Sequence, residues 1–261
     1  MTAKSKKSDG RERERATREL EELGLKVMAR EWEQVHAEAI SKSWSLAYTL
    51  CELTGRELTQ RRHRKVERLL KEAQLPEGKI LSTLDQSKLS VANRQHLAQL
   101  IEGEFTRQGV NLLAFGLPGR GKSHYLCAIG HELIINHGQK VLFTPSYKLI
   151  QRLLEAKRRL ALAAELKKLD QYDAIILDDL GYVQQSREEM EVLFTFFAER
   201  YERRSVMISS NLVFSQWEGI FHDPLTAMAA VDRLVHHSVI LEFQGESQRT
   251  GKKKGNMEKN S

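Results

Sequence analysis

Eight consecutive residues, GLPGRGKS from Gly116 to Ser123, follow the order G-x-x-x-x-G-K-S. Glycine at 119 and 121 lets a backbone curl until successive N–H groups converge, and a helix that opens at the curl adds partial positive charge. Lys122 would supply a formal charge to the outer phosphates of a nucleotide, and the Ser123 hydroxyl can ligate magnesium. The apolar run VNLLAFG (110–116) before the loop and the helical pattern over 122–137 after it are the strand and helix that such a loop needs. Nucleotide contacts are therefore expected from Gly116, Leu117, Pro118, Gly119, Arg120, Gly121, Lys122, Ser123 and the adjoining His124, with ATP and Mg2+ as the ligands.

A second cluster ends the run AIILDD (174–179). A buried strand has no packing use for two carboxylates, because an unpaired buried charge is costly. At the carboxyl end of a parallel strand they would project into the crevice where α/β sheets hold ligands. Asp178 suits the magnesium side and Asp179 suits polarising an attacking water. The alternative for Asp179 is a helix N-cap role. The run SVMISS (205–210) leads to Asn211, an amide able to orient that water or simply a turn residue. His236 and His237 are adjacent, which on a helix sets them about 100° apart with no third ligand at suitable spacing, so a structural role is the better reading. Trp32, Trp44 and Trp217 fall in helical apolar patterns and read as core or subunit-contact residues.

These groups need elements to hold them. From residue 110 onward, short apolar runs alternate with longer helical ones. Strands are expected at 110–116, 140–144, 173–178, 205–210 and 238–243, with helices at 122–137, 146–169, 187–203, 215–221 and 224–236. Continuous apolar strands between helices indicate a buried parallel sheet with helices on both faces. Before it, residues 19–40 and 43–73 carry apolar side chains at helical spacing, interrupted at Gly24 and Gly55, and Pro76 with Gly78 ends the pattern. The expected organisation is an all-helical N-terminal domain over 1–75 with a basic, disordered start, an α/β domain over 76–248, and a basic tail over 249–261.

The 261 residues carry a net charge of +6, unevenly placed. Residues 1–18 and 249–261 each sum to +4, the stretch 56–71 to +5, and the chain between the two ends to −2. Polyanion binding and simple solvation are both open to such ends. The most apolar long stretch, 112–135, includes Arg120, Lys122, His131 and Glu132, which excludes a membrane span. No apolar leader follows the first residues, and two cysteines, Cys51 and Cys127, make no disulfide framework. Buried, reduced thiols in a cytoplasmic protein are expected.

Taken in order, GLPGRGKS, IILDDLGY, RYERRSVMISSNLVFSQWEGIF, AAVDRLVHHSVI and GESQR resemble the IstB/DnaC family of AAA+ P-loop ATPases. The likeness covers about residues 17–250 and is closest to the IstB-like transposition helpers. It implies an AAA+ core and an ATPase that assembles side by side on duplex DNA without sequence preference, delivers that DNA to a cognate transposase and stimulates it. It also implies that Arg233 reaches the γ-phosphate in a neighbouring subunit of a homo-oligomer and that Arg249 is a second sensor of the nucleotide. Here Ser123 stands where Thr is common, Asp179 where many members have Glu, and Gln248 where an aromatic is typical. The shorter acid implies slow hydrolysis. Lys148, Arg152 and Arg159, spaced along 145–168, are the candidate phosphate contacts on DNA, where the alternative is a solvated helix face. Two other functions fit the same motifs: a DnaC-type helicase loader, and a nucleotide-gated DNA scaffold with little turnover.

Overall fold

The computed structural model describes residues 3–181, 186–212 and 234–244. The chain divides into two compact units, residues 1–67 and 68–261. In the first, α1 (Ala3–Glu22) and α2 (Lys26–Ser41) are joined by a turn at Gly24, and α3 begins at Leu46. The expected break at Gly24 is present, since its φ of +73° suits glycine. Two expectations fail. The basic start is helical from Ala3, and α3 runs unbroken through Gly55 to Ala73. A lone glycine inside a helix weakens it by about 1 kcal/mol without ending it. Met28, Val35 and Leu53 form the small core, with Leu20, Leu25, Trp32 and Trp44 against it. Trp32 and Trp44 thus pack as expected, while Trp217 lies outside the described residues.

The first turn of α2 lacks a local side-chain cap, and α3 supplies one. The Glu57 carboxylate accepts from the Val27 N–H at 2.8 Å and the Met28 N–H at 3.3 Å, and Arg61 donates to it at 2.9 Å. Burial is the largest influence on this carboxyl and pushes its pKa up; Arg61 and the two N–H groups together outweigh it and leave the pKa below the usual range.

In the second unit, α4 (Val91–Leu100), capped by the Ser90 hydroxyl, and the short α5 (Glu104–Arg107) precede the sheet, and neither was indicated by the sequence pattern. A five-stranded sheet follows, in the order β2-β3-β4-β1-β5 and parallel throughout. Its strands are β1 (Asn111–Phe115), β2 (Val141–Pro145), β3 (Ala174–Leu180), β4 (Ser205–Ser210) and β5 (Ser238–Glu242). Alternation along β3 divides the core. Ile175 and Leu177 join the side chains of α7 (Ser146–Arg158), α8 (Leu162–Leu169) and α9 (Arg187–Arg200) on one face. On the other lies α6 (Lys122–His137), whose Gly130 is so close that a Cβ there would meet Ile176 Cδ1 at 2.8 Å. The sheet is therefore covered on both faces, as expected.

The single helix expected over 146–169 is two. Leu160 takes a φ of +55° and the Ala161 N–H reaches back to the Ala156 carbonyl at 2.8 Å, a Schellman closure made without glycine. Cys127 is buried, which pushes its thiol up to about 12. Cys51, expected to be buried, is exposed on α3. Among the described residues no helix is long and apolar enough to cross a membrane.

Candidate nucleotide site

β1 feeds α6 on one face of the sheet and β3 feeds α9 on the other, an arrangement that opens a crevice at the carboxyl ends of the strands. The loop from Gly116 to Gly121 closes over that crevice. Gly116, Gly119 and Gly121 have φ of +143°, +80° and +92°, and a Cβ on Gly116 would stand 2.3 Å from the Phe243 carbonyl oxygen at the end of β5. The loop can hold its curl against β5 only with glycine there. Leu117 and Pro118 form its exposed tip, and Gly121 hands directly into α6 at Lys122.

Lys122 is buried and turns back into the loop. Its Nζ donates to the carbonyls of Gly116 at 2.6 Å and Leu117 at 3.0 Å, and to Asn211 Oδ1 at 2.7 Å. Asn211, at the end of β4, thus meets the lysine of the loop through its amide oxygen. Arg120 points elsewhere, donating to the Phe243 carbonyl at 3.2 Å. His124 lies against the segment before α4, with Nε2 at 3.1 Å from both the Ile80 carbonyl and Thr83 Oγ1.

The two aspartates have different settings. Asp178 Oδ1 accepts from Ser123 Oγ and from Ser209 Oγ, each at 2.5 Å. Asp179 is exposed and left-handed, with φ +57°. Its conformation comes from a bulge: Leu177 pairs with Ile208 and Leu180 with Ser210, so β3 fits one residue more than β4 between these pairs. Asp is among the few side chains that accept this region of φ/ψ space. Three serine hydroxyls fasten the bulge. Ser209 Oγ accepts from the Asp179 N–H at 2.9 Å, Ser146 donates to the Asp179 carbonyl at 3.0 Å, and Ser210 donates to the Leu180 carbonyl at 2.8 Å. The N-cap of α9 is Ser186, which makes a reciprocal capping box with Glu189, and not Asp179.

Sequence reasoning missed these serines. The signal available was two hydroxyls ending an otherwise apolar strand, SVMISS, where a buried O–H needs a partner. The structure makes two hydrogen-bonded pairs of these residues, Lys122 with Asn211 and Ser123 with Asp178, with Asp179 one residue further along the bulge. Arg233 and Arg249 lie outside the described residues. His237 pairs with Glu202 at 3.2 Å and stacks edge-on with His236 at 5.3 Å between ring centres.

The basic candidates on α7 are partly engaged. Lys148 is exposed, Arg152 pairs with Glu165 of α8, and Arg159 sits at the C-cap of α7, 3.4 Å from Glu155. Burial pushes the Glu165 pKa up more than any other single influence, but Arg152 and Lys168 together hold it below the usual range.

The family of IstB-like ATP binding proteins matches residues 18–256. An insertion sequence ATP-binding protein of Sinorhizobium fredii is 42% identical over 231 residues, covering 88% of this chain and 77% of that protein. The insertion sequence IS21 ATP-binding protein of Pseudomonas aeruginosa is 33% identical, over 90% of this chain and 88% of that one. Among solved structures, the DnaC helicase loader aligns with a TM-score of 0.52 at 19% identity, over 61% of this chain and 95% of that one, a likeness of fold. The parallel sheet with its P-loop is the AAA+ core that the sequence motifs implied. With a family match over most of its length and a relative at 42% identity, the chain belongs to the IstB-like ATP-binding protein family.

Proposed function

We propose that this chain binds and slowly hydrolyses ATP with magnesium, and that it acts as a transposition helper that assembles on duplex DNA and stimulates a transposase. The observation that carries the ATPase reading is the contact of Lys122 with Asn211 and of Ser123 with Asp178 at the mouth of a glycine-rich loop. Relatives named for insertion sequences support the transposition reading.

The donor chemistry fits both ligands. The N-terminus of α6 and the curled loop offer N–H groups to phosphate oxygens. Ser123 and Asp178 are hard oxygen donors and would be the residues to hold magnesium. Held by Ser123 and Asp178, magnesium would supply positive charge to offset what develops on the phosphate oxygens.

Each residue then has a task. Lys122 exchanges its two carbonyl contacts for phosphate oxygens, trading neutral acceptors for charged ones. Asn211 stays beside it and orients the attacking water through its NH2. Asp179 takes up a proton from that water at the open side of the crevice. Its side chain is one methylene shorter than glutamate, and turnover below about 10 s⁻¹, the usual enzyme median, follows. Arg233 of a neighbouring copy completes the site, which links nucleotide occupancy to assembly on DNA.

The test combines fluorescent-nucleotide binding with phosphate release, with and without duplex DNA. Lys122→Ala should abolish both. Arg233→Ala should bind nucleotide but lose DNA-stimulated turnover, by roughly 10³-fold or more if the guanidinium acts in trans. Binding by the Lys122→Ala variant at wild-type affinity would remove the reading. A wild-type protein that binds ATP on DNA without measurable phosphate release would be a scaffold instead.

A further inference from the structure

We infer that Ser209 is a positioning residue for both aspartates, a role that rests on the ATPase reading above. Its hydroxyl lies fully buried in β4 and makes two bonds of opposite sense. It donates to Asp178 Oδ1 at 2.5 Å and accepts from the Asp179 N–H at 2.9 Å. Neither bond belongs to the sheet ladder. The Asp179 N–H lies in the bulge, where the register of β3 with β4 shifts, and Ser209 Oγ accepts it from the neighbouring strand.

Both bonds act on chemistry. Because Ser209 and Ser123 donate to the same oxygen, the carboxylate of Asp178 is held toward the loop hydroxyl from two sides. Because Ser209 holds the Asp179 amide, the backbone stays left-handed there and carries the carboxylate to the open side. Without the hydroxyl, β3 would gain by sliding toward a regular ladder, and loss of one extra residue in a strand turns the following side chains to the other face. Ser209 works through the two acids, by its bonds to the Asp178 carboxylate and the Asp179 amide.

The test is Ser209→Ala, with Ser209→Thr as the variant that keeps a hydroxyl. The first readout needs no nucleotide: amide exchange at Asp179 in the full chain should accelerate at least tenfold in Ser209→Ala and return toward wild type in Ser209→Thr. The second is kinetic. In Ser209→Ala, kcat should fall and the magnesium concentration for half-maximal turnover should rise, each by about 10–100-fold, the usual effect of removing a partner behind a ligand. The KM for ATP and nucleotide affinity without metal should stay within about threefold, since Lys122 and the loop are untouched, and the Thr variant should recover most of kcat. Unchanged Asp179 exchange, or unchanged kcat and magnesium dependence, overturns the inference. So does a loss of nucleotide affinity in step with kcat, which would mark a general structural defect. If Ser209→Ala fails to fold, the Thr variant decides alone, and exchange or magnesium dependence that departs from wild type despite its hydroxyl overturns the inference. A wild-type protein inert toward ATP would sink the ATPase reading and leave the exchange result to judge Ser209.

Discussion

Asp179 shows how one residue's backbone sets its chemistry. In regular pairing with β4 its side chain would alternate with its neighbours; at φ +57° on a bulge it leaves the sheet and stays exposed next to the carboxylate that Ser123 and Ser209 hold. Asparagine tolerates the same left-handed region, keeps the shape and removes the charge. Asp179→Asn should therefore bind nucleotide as wild type does but lose about 10²–10⁴-fold in kcat, the span for removing a general base. Phosphate release measured beside fluorescent-nucleotide titration separates the two effects. Equal loss in both would mean that Asp179 holds the loop rather than the water. Lys122 bears the opposite relation to its surroundings: its three donors are already satisfied by protein oxygens, so the ammonium is held at the mouth of the loop before any phosphate arrives.

Elements differ in how their ends are secured, and this decides what could be read from sequence. The start of α2 depends on Glu57, thirty residues away from Val27 on α3. Its folded pKa lies below the usual range, so the stabilisation is complete above the unfolded value of about 4.3 and fades as pH falls through the folded one. Protection factors at Val27 and Met28 should hold from pH 7 to 5 and drop below about pH 4, and Glu57→Gln should lower them at neutral pH by the equivalent of about 1–2 kcal/mol. Protection insensitive to either change would show that the cap contributes nothing. Such a cap is invisible to local pattern. The loop Gly116–Ser123 was legible because phosphate binding writes its needs into eight adjacent residues, and the buried strands were legible because their apolar runs are continuous. The break between α7 and α8 was not: Leu160 closes the helix where glycine or proline would have announced it. The serine relay was not either, since Ser209 meets Asp178 and Asp179 only through the register of β3 with β4.

At the scale of the whole molecule, charge is concentrated in the tails and along helices, while the interior of the sheet is apolar. The outer surface of α7 is the candidate for phosphate contact in the proposed assembly on DNA. Of the three candidates there, Arg152 is shared with Glu165 and Arg159 with Glu155, while Lys148 is exposed. The Arg159–Glu155 pair is solvent-exposed, and such pairs contribute at most about 1 kcal/mol. Glu165 is half-buried but keeps Lys168 at 3.2 Å when Arg152 turns to phosphate, so that exchange does not strip the carboxylate of its last cation. Replacing Lys148, Arg152 and Arg159 together with alanine should therefore leave the melting temperature within a few degrees of wild type and weaken duplex binding equally for all sequences. Each lost phosphate contact should also lower the slope of log affinity against log salt by about 0.9, to a total near 2–3 if all three engage. Fluorescence anisotropy with two unrelated duplexes across a salt series reads both quantities. A variant with the wild-type slope would move the DNA surface away from α7. A variant that loses affinity for one duplex alone would show that these side chains read bases rather than phosphates.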